Sequence, residues 1–149
     1  MGGCCCPSNP NPFSPILFFA TSSETPLTIP VNTPVDVLTL GVSPPSPGQH
    51  QVKIDSTVEL IITQLPGNTL SYDISYRLQK DGTTIAELQI AKTYITPTNT
   101  SRIHTEIPNL TWNDVISTSS TYTVEIQISP TGAFDEVVVQ TRALNAIVF

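Results

Sequence analysis

The sequence predicts an all-β protein, a jelly-roll-like sandwich of about eight or nine antiparallel strands with an extended N-terminal arm. Three observations carry this. Apolar and polar residues alternate over most of the second half of the chain. Turn-forming residues recur at roughly 8–12-residue intervals. No stretch shows a sustained helical period, and no internal repeat is visible.

The arm is Met1 to Pro15, MGGCCCPSNPNPFSP. Its prolines, Pro7, Pro10, Pro12 and Pro15, exclude helix and favour an extended path. The body is residues 16–149. It opens with Ile16-Leu17-Phe18-Phe19-Ala20, a short strand candidate whose large side chains are expected to be buried, in their own sheet or on a neighbouring subunit. A Pro-spaced stretch (Pro26, Pro30, Pro34) leads to a strand at Val35–Leu40, and Pro44, Pro45, Pro47 and Gly48 make a loop.

Val52 and Ile54 alternate with Lys53 and Asp55, and Val58, Leu60 and Ile62 continue the pattern. Pro66-Gly67-Asn68 marks a turn. Tyr72, Ile74, Tyr76 and Leu78 share one strand face. Lys80-Asp81-Gly82-Thr83 reads as a hairpin turn, because Asp-Gly supplies the positive φ of a tight primed turn, and Thr84 to Ile90 returns as the partner strand. Ile103, Thr105 and Ile107 suggest another strand, followed by a loop at Trp112-Asn113-Asp114. Tyr122, Val124, Ile126 and Ile128 line one face of the next strand, Pro130 to Asp135 turns the chain, and a last strand runs from Glu136 to Phe149.

With 149 residues, one domain can bury a core without staples. Charged residues are only 12% of the chain, about half the usual share, and Thr and Ser supply the polarity. The net charge is −6, and the basic residues Lys53, Arg77, Lys80, Lys92, Arg102 and Arg142 are scattered singly. Neither a nucleic-acid backbone nor an anionic lipid surface finds a complementary patch in that pattern. No apolar run approaches the length of a membrane span. No basic-then-apolar leader precedes a cleavage site, so the expectation is synthesis in a mother-cell cytoplasm without a signal peptide.

Catalytic signals are weak. His50 stands in a Pro/Gly loop, and His104 is expected to face outward between Ile103 and Thr105. No GxSxG, HExxH, P-loop or GxGxxG motif occurs. Asp135-Glu136 borders a turn, where a solvated edge is the ordinary reading. Tyr72, Tyr76, Trp112 and Tyr122 could form a ligand platform, but aromatics on inward strand faces are more often core. The expectation is no catalytic residue, no cofactor and no metal site.

The three cysteines are consecutive, Cys4-Cys5-Cys6, and the body has none. A zinc site would space its ligands and add partners. Two readings remain open. Met1-Gly2 beside cysteines begins like a lipidation site, although Cys6 stands where that motif wants Ser or Thr. Intermolecular disulfide cross-linking in an oxidising setting is favoured, because an arm ahead of a strand suits assembly.

A glycine-flanked Cys cluster, a Pro/Asn spacer and a Thr-rich body of jelly-roll size resemble the endospore appendage pilins of spore-forming bacilli, and the body resembles jelly-roll proteins of the spore surface. Tyr76–Thr83, Trp112-Asn113-Asp114 and Arg142-Ala143-Leu144-Asn145-Ala146 are similar to that group. The resemblance implies a self-assembling structural subunit of an extracellular fibre on the spore surface. Each arm would dock into another copy, Cys4, Cys5 and Cys6 would form intermolecular disulfides, and Ile16, Leu17, Phe18 and Phe19 would take part in docking or strand addition. An anchor or tip protein is a further implied partner. Those pilins also carry body cysteines that receive the arm, and this body has none. The alternative reading is a receptor- or glycan-binding jelly-roll module forming discrete oligomers.

Overall fold

A computed structural model describes residues 16–67, 69–95 and 100–149. The arm, Met1 to Pro15, lies outside the described residues, as do Cys4, Cys5 and Cys6. The described residues form ten strands and no helix. These are β1 (Leu17–Ser23), β2 (Leu27–Thr28), β3 (Val35–Val42), β4 (His50–Gln64), β5 (Thr69–Lys80), β6 (Thr83–Ile95), β7 (Arg102–Glu106), β8 (Asn109–Ile116), β9 (Ser120–Gly132) and β10 (Phe134–Val148).

Every pairing is antiparallel, and the pairings nest. β5 pairs with β6, β4 with both β7 and β8, β3 with β9, and β10 with both β1 and β2. This is one long hairpin whose arms run side by side from the β5–β6 turn back to the chain ends. Two further ladders, β4–β10 and β5–β9, roll that hairpin into two facing sheets. The result is a jelly roll. One sheet runs β1/β2–β10–β4–β7/β8 and the other β3–β9–β5–β6. The ten strands occupy eight positions, because β1 and β2 share one edge of the first sheet and β7 and β8 share the other.

The core is the set of inward positions. Ile54, Val58, Leu60 and Ile62 of β4 face Ile74, Tyr76 and Leu78 of β5, with Val124, Ile126 and Ile128 of β9 and Val137, Val139, Leu144 and Val148 of β10; all are fully buried. Strict alternation on central strands follows from the two-residue period of the pleat. Bulges or register shifts interrupt it between Asp36 and Leu38 in β3, between Phe134 and Val137 and between Val139 and Arg142 in β10, and beside Leu78 in the β5–β6 ladder. The first turns consecutive residues, Val37 and Leu38, both inward.

The Asp81-Gly82 turn has the expected geometry, with φ of 49° and 80°. Other expectations need correction. Trp112-Asn113-Asp114 is not a loop but the middle of β8, held by β4. β6 continues past Ile90 to Ile95. The turn after β9 is tighter than Pro130 to Asp135, because both strands continue into it and leave only Ala133 between them.

Candidate assembly surface

The first strand decides where the arm leaves the body. β1 pairs residue for residue with the end of β10, from Leu17↔Val148 to Ser23↔Arg142. Alternation divides Ile16 to Phe19. Leu17 and Phe19 turn toward the core and pack against it, half-buried, while Ile16 and Phe18 point away and stay 67% and 66% exposed. The expectation that all four are buried therefore fails for Ile16 and Phe18 in the single chain: a strand with one face on the core must present the other outward.

The ladders extend this outward face across the sheet. Phe18, Ile147, Lys53 and Asn113 stand in one row across β1, β10, β4 and β8. The next row toward the end of the sheet holds Ile16, Phe149, Gln51 and Val115, tied by the Phe149 amide donating to the Gln51 carbonyl at 2.9 Å. Phe149 and Val115 are 49% and 48% exposed. In the other direction the face turns polar, with Ala20, Asn145, Asp55 and Thr111, then Ser22, Ala143, Thr57 and Asn109.

An open pit of about 450 Å³ lies at the β4–β8 side of the apolar end, lined by Gln51, Lys53, Asn113, Val115 and Phe149 among others. Its charges are balanced. Lys53 pairs with Asp55 at 3.2 Å, and Asp114 pairs with Lys80 at 2.7 Å. Burial pushes the Asp114 carboxyl up, but the Lys80 ammonium and the Tyr122 hydroxyl, which donates to Asp114 at 2.7 Å, leave it below its ordinary value.

Across the sandwich edge between β6 and β7/β8, two polar clusters latch the sheets. One is the Lys80–Asp114–Tyr122 group. At the other, Tyr72 and Tyr94 both donate to Glu106 Oε1, at 2.8 and 3.3 Å. Tyr94 stacks on His104 with ring centroids 3.9 Å apart, and His104 Nε2 donates to Gln64 Oε1 at 2.9 Å. His104 thus faces inward, contrary to expectation, because it shares a row with the inward Ile62. Burial, and then the Arg102 charge, hold its pKa below the ordinary histidine value.

The other sequence candidates resolve as structure. His50 is buried at the start of β4, with Nδ1 3.2 Å from the Phe149 carbonyl and Nε2 3.1 Å from the Ser46 carbonyl. Both ring nitrogens face backbone acceptors, and the Ser46 hydroxyl lies 3.4 Å from Nε2. Tyr72, Tyr76 and Tyr122 are core, and Trp112 lines the partly open edge. Asp135 and Glu136 are exposed. Among the described residues no group of three or more His, Cys, Asp or Glu is placed to hold a metal, and no helix is long and apolar enough to cross a membrane.

No protein-family model matches the chain, and no curated protein matches it. Solved structures do. The VP2 subviral particle of infectious bursal disease virus is 15% identical over 90% of this chain, with a TM-score of 0.44. The Gx strain of the same virus is 11% identical over 91%, with a TM-score of 0.41. The chain spans about a third of the length of each, 32% in both cases.

The assembly candidates missed by sequence reasoning are Val115, Ile147 and Phe149. They lie far from Ile16 in sequence, and only the β1–β10–β4–β8 register brings them together. The signal available was Phe149 itself, a large aromatic at the last position of an alternating strand.

Proposed function

We propose that the chain is a non-catalytic structural subunit that assembles with copies of itself into an extracellular fibre of the spore-appendage kind. Arm docking, strand addition at a sheet edge and disulfides between the arms would hold the copies together. The observation that carries this reading is the apolar end of the outer face, because the arm joins the body within it, at Ile16. Large side chains exposed together on a sheet face favour association, since covering them releases water. The arm's 15 residues reach on the order of 50 Å when extended, enough to cross a neighbouring domain.

Negative-stain microscopy of the full chain and of a variant lacking Met1 to Pro15 tests it. The full chain is expected to form long filaments, and the shortened chain a folded β body that forms none. Equally robust filaments from both would overturn the arm's role. Discrete compact oligomers of the full chain would favour the second reading, a glycan- or receptor-binding module. That reading draws on the polar hollow lined by Asp55, Thr57, Asn109, Thr111 and Asn145, whose hydroxyl, amide and carboxylate groups suit a polyhydroxylated ligand.

A further inference from the structure

Phe18 and the pit form a knob and a hole on the same face of one sheet, and we infer that Phe18 of one copy seats in the pit of a second copy, making a body-to-body contact distinct from anything the arm does. The inference rests on the proposed self-assembly and names the surface that serves it.

The argument for a second copy is geometric. Phe18 stands on β1, the edge of the sheet, whereas the pit opens along β4 and β8, with β10 between. Adjacent strands are separated by about 4.8 Å, so the β4 and β8 walls of the pit lie on the order of 10–15 Å from the knob, and only Phe149, which follows β10, stands nearer. A side chain fixed on a paired strand cannot cross that distance. Among the described residues Phe18 is 66% exposed and finds no cover.

Chemistry and charge favour the same occupant. Val115 and Phe149 offer the pit two half-exposed apolar walls, and an aromatic ring at such a centre is the usual anchor of a protein interface. Gln51, Lys53 and Asn113 give it a polar rim. The chain carries a net charge of −6, so two copies repel in general. At this end of the face the nearby carboxylates, Asp55 and Asp114, are each paired with a lysine, and two copies can meet here without stacking unpaired like charges. The exposed parts of Ile16, Phe18, Val115 and Phe149 together amount to on the order of 500 Å², an apolar centre sized for an interface of about 800 Å² per partner.

The test uses the full chain under dithiothreitol, so that no disulfide contributes, and follows mass by sedimentation velocity. Phe18→Ser removes the knob and Val115→Arg fills the hole. Phe18 is 66% and Val115 48% exposed, so both variants are expected to keep the wild-type circular dichroism. The wild type is expected to associate, and each variant to associate at least about tenfold more weakly. Mixing the two variants should restore a dimer, because the Val115→Arg copy keeps its knob and the Phe18→Ser copy keeps its hole. A wild type that stays monomeric under reductant, variants that associate like wild type, or a mixture that stays monomeric would each overturn the contact. Filaments that persist in Phe18→Ser but vanish without the arm would refute this interface while leaving the fibre reading standing. A full chain that forms no assembly of any kind would refute both.

Discussion

Arg142 Nε donates to the carbonyl of Val37 at 2.9 Å, joining the bulge of β10 to the bulge of β3 across the closed edge of the sandwich. The same guanidinium donates through Nη1 to the carbonyls of Thr25 and Gln140, at 2.8 and 3.1 Å. A buried cation serves here as a three-way clasp for bulge carbonyls of β3 and β10 and for the link between β1 and β2. Arg142→Ala leaves those acceptors unmet and is expected to cost about 3 kcal/mol. Arg142→Lys should cost less but still measurably, since an ammonium cannot reproduce the planar fork. Urea denaturation checks this through a lowered midpoint at unchanged slope.

Two glycines separate backbone freedom from space. Gly82 has φ of 80° in the hairpin turn, with open space around it, whereas Gly132 has φ of 84° and a Cβ there would stand 2.4 Å from the Thr69 carbonyl oxygen. Gly82→Ala is expected to cost about 1–2 kcal/mol from the left-handed conformation alone. Gly132→Ala adds a backbone collision, and its thermal midpoint should fall clearly further. Equal losses would show that the β9–β10 turn yields freely.

Tyr76 is wholly buried and its hydroxyl meets no hydrogen-bond partner among the described residues. Burial pushes the phenol up to about 12, with the Ser56 hydroxyl acting in the opposite direction. Ser56 spends its own hydrogen on the Leu110 carbonyl at 3.3 Å. Tyr76→Phe is therefore expected to be neutral or stabilising by up to about 1 kcal/mol, where truncating a bonded tyrosine would destabilise. Loss of stability in that variant would reveal a partner for the hydroxyl.

Acid should loosen the latched edge in two stages. The His104 pKa is lowered on folding, first by burial and then by Arg102, so the folded state favours the neutral ring. That stability is complete above the unfolded value of 6.5 and is lost as pH falls through the lower folded value. Asp114 is also lowered, against its own burial, by Lys80 and Tyr122. Its contribution is complete above 3.8 and is lost only at still lower pH. Urea midpoints followed downward from pH 8 are expected to fall first below 6.5, and His104→Gln should remove that first decline while leaving the second.

With no cysteine in the body, any structural disulfide joins arm to arm. In a head-to-tail assembly no two-fold axis relates neighbours, so bonds should link unlike positions among Cys4, Cys5 and Cys6, leaving one free thiol per chain. Non-reducing peptide mapping with thiol counting checks this. Same-position pairs, or no cross-linked species, would count against it.

Where the residues were unambiguous, the fold could be read directly. Tyr122, Val124, Ile126 and Ile128 sit on a central strand with one buried face, so their alternation translates straight into burial. Asp81-Gly82 names its own turn. β4 keeps its alternation through Ser56, which holds an inward position between Ile54 and Val58 and donates to the Leu110 carbonyl of a distant strand. β8 looked like a loop because Asn113 and Asp114 are poor strand formers. It is a strand because β4 supplies the ladder, and Asp114 gains Lys80 and Tyr122 only in the folded chain. The orientation of His104 depends likewise on its pairing opposite Ile62. Long-range register, which alternation cannot encode, accounts for the misreadings of β8 and His104.

The β1–β10 ladder also sets how the body answers mechanical load. Ile16 and Phe149 lie at the same end of an antiparallel pair. Tension applied between the two chain ends would open the ladder like a zip, starting at Leu17↔Val148 and breaking its bonds in turn. Tension that enters at Ile16 and leaves through the far end of the sheet runs along the strands instead, and must shear all the rungs from Leu17 to Ser23 together. Optical-tweezer handles placed in those two ways should therefore find a weak body and a strong one in the same molecule. A polymer strung through its arms gains its tensile strength only if each body is gripped at the end opposite its own arm.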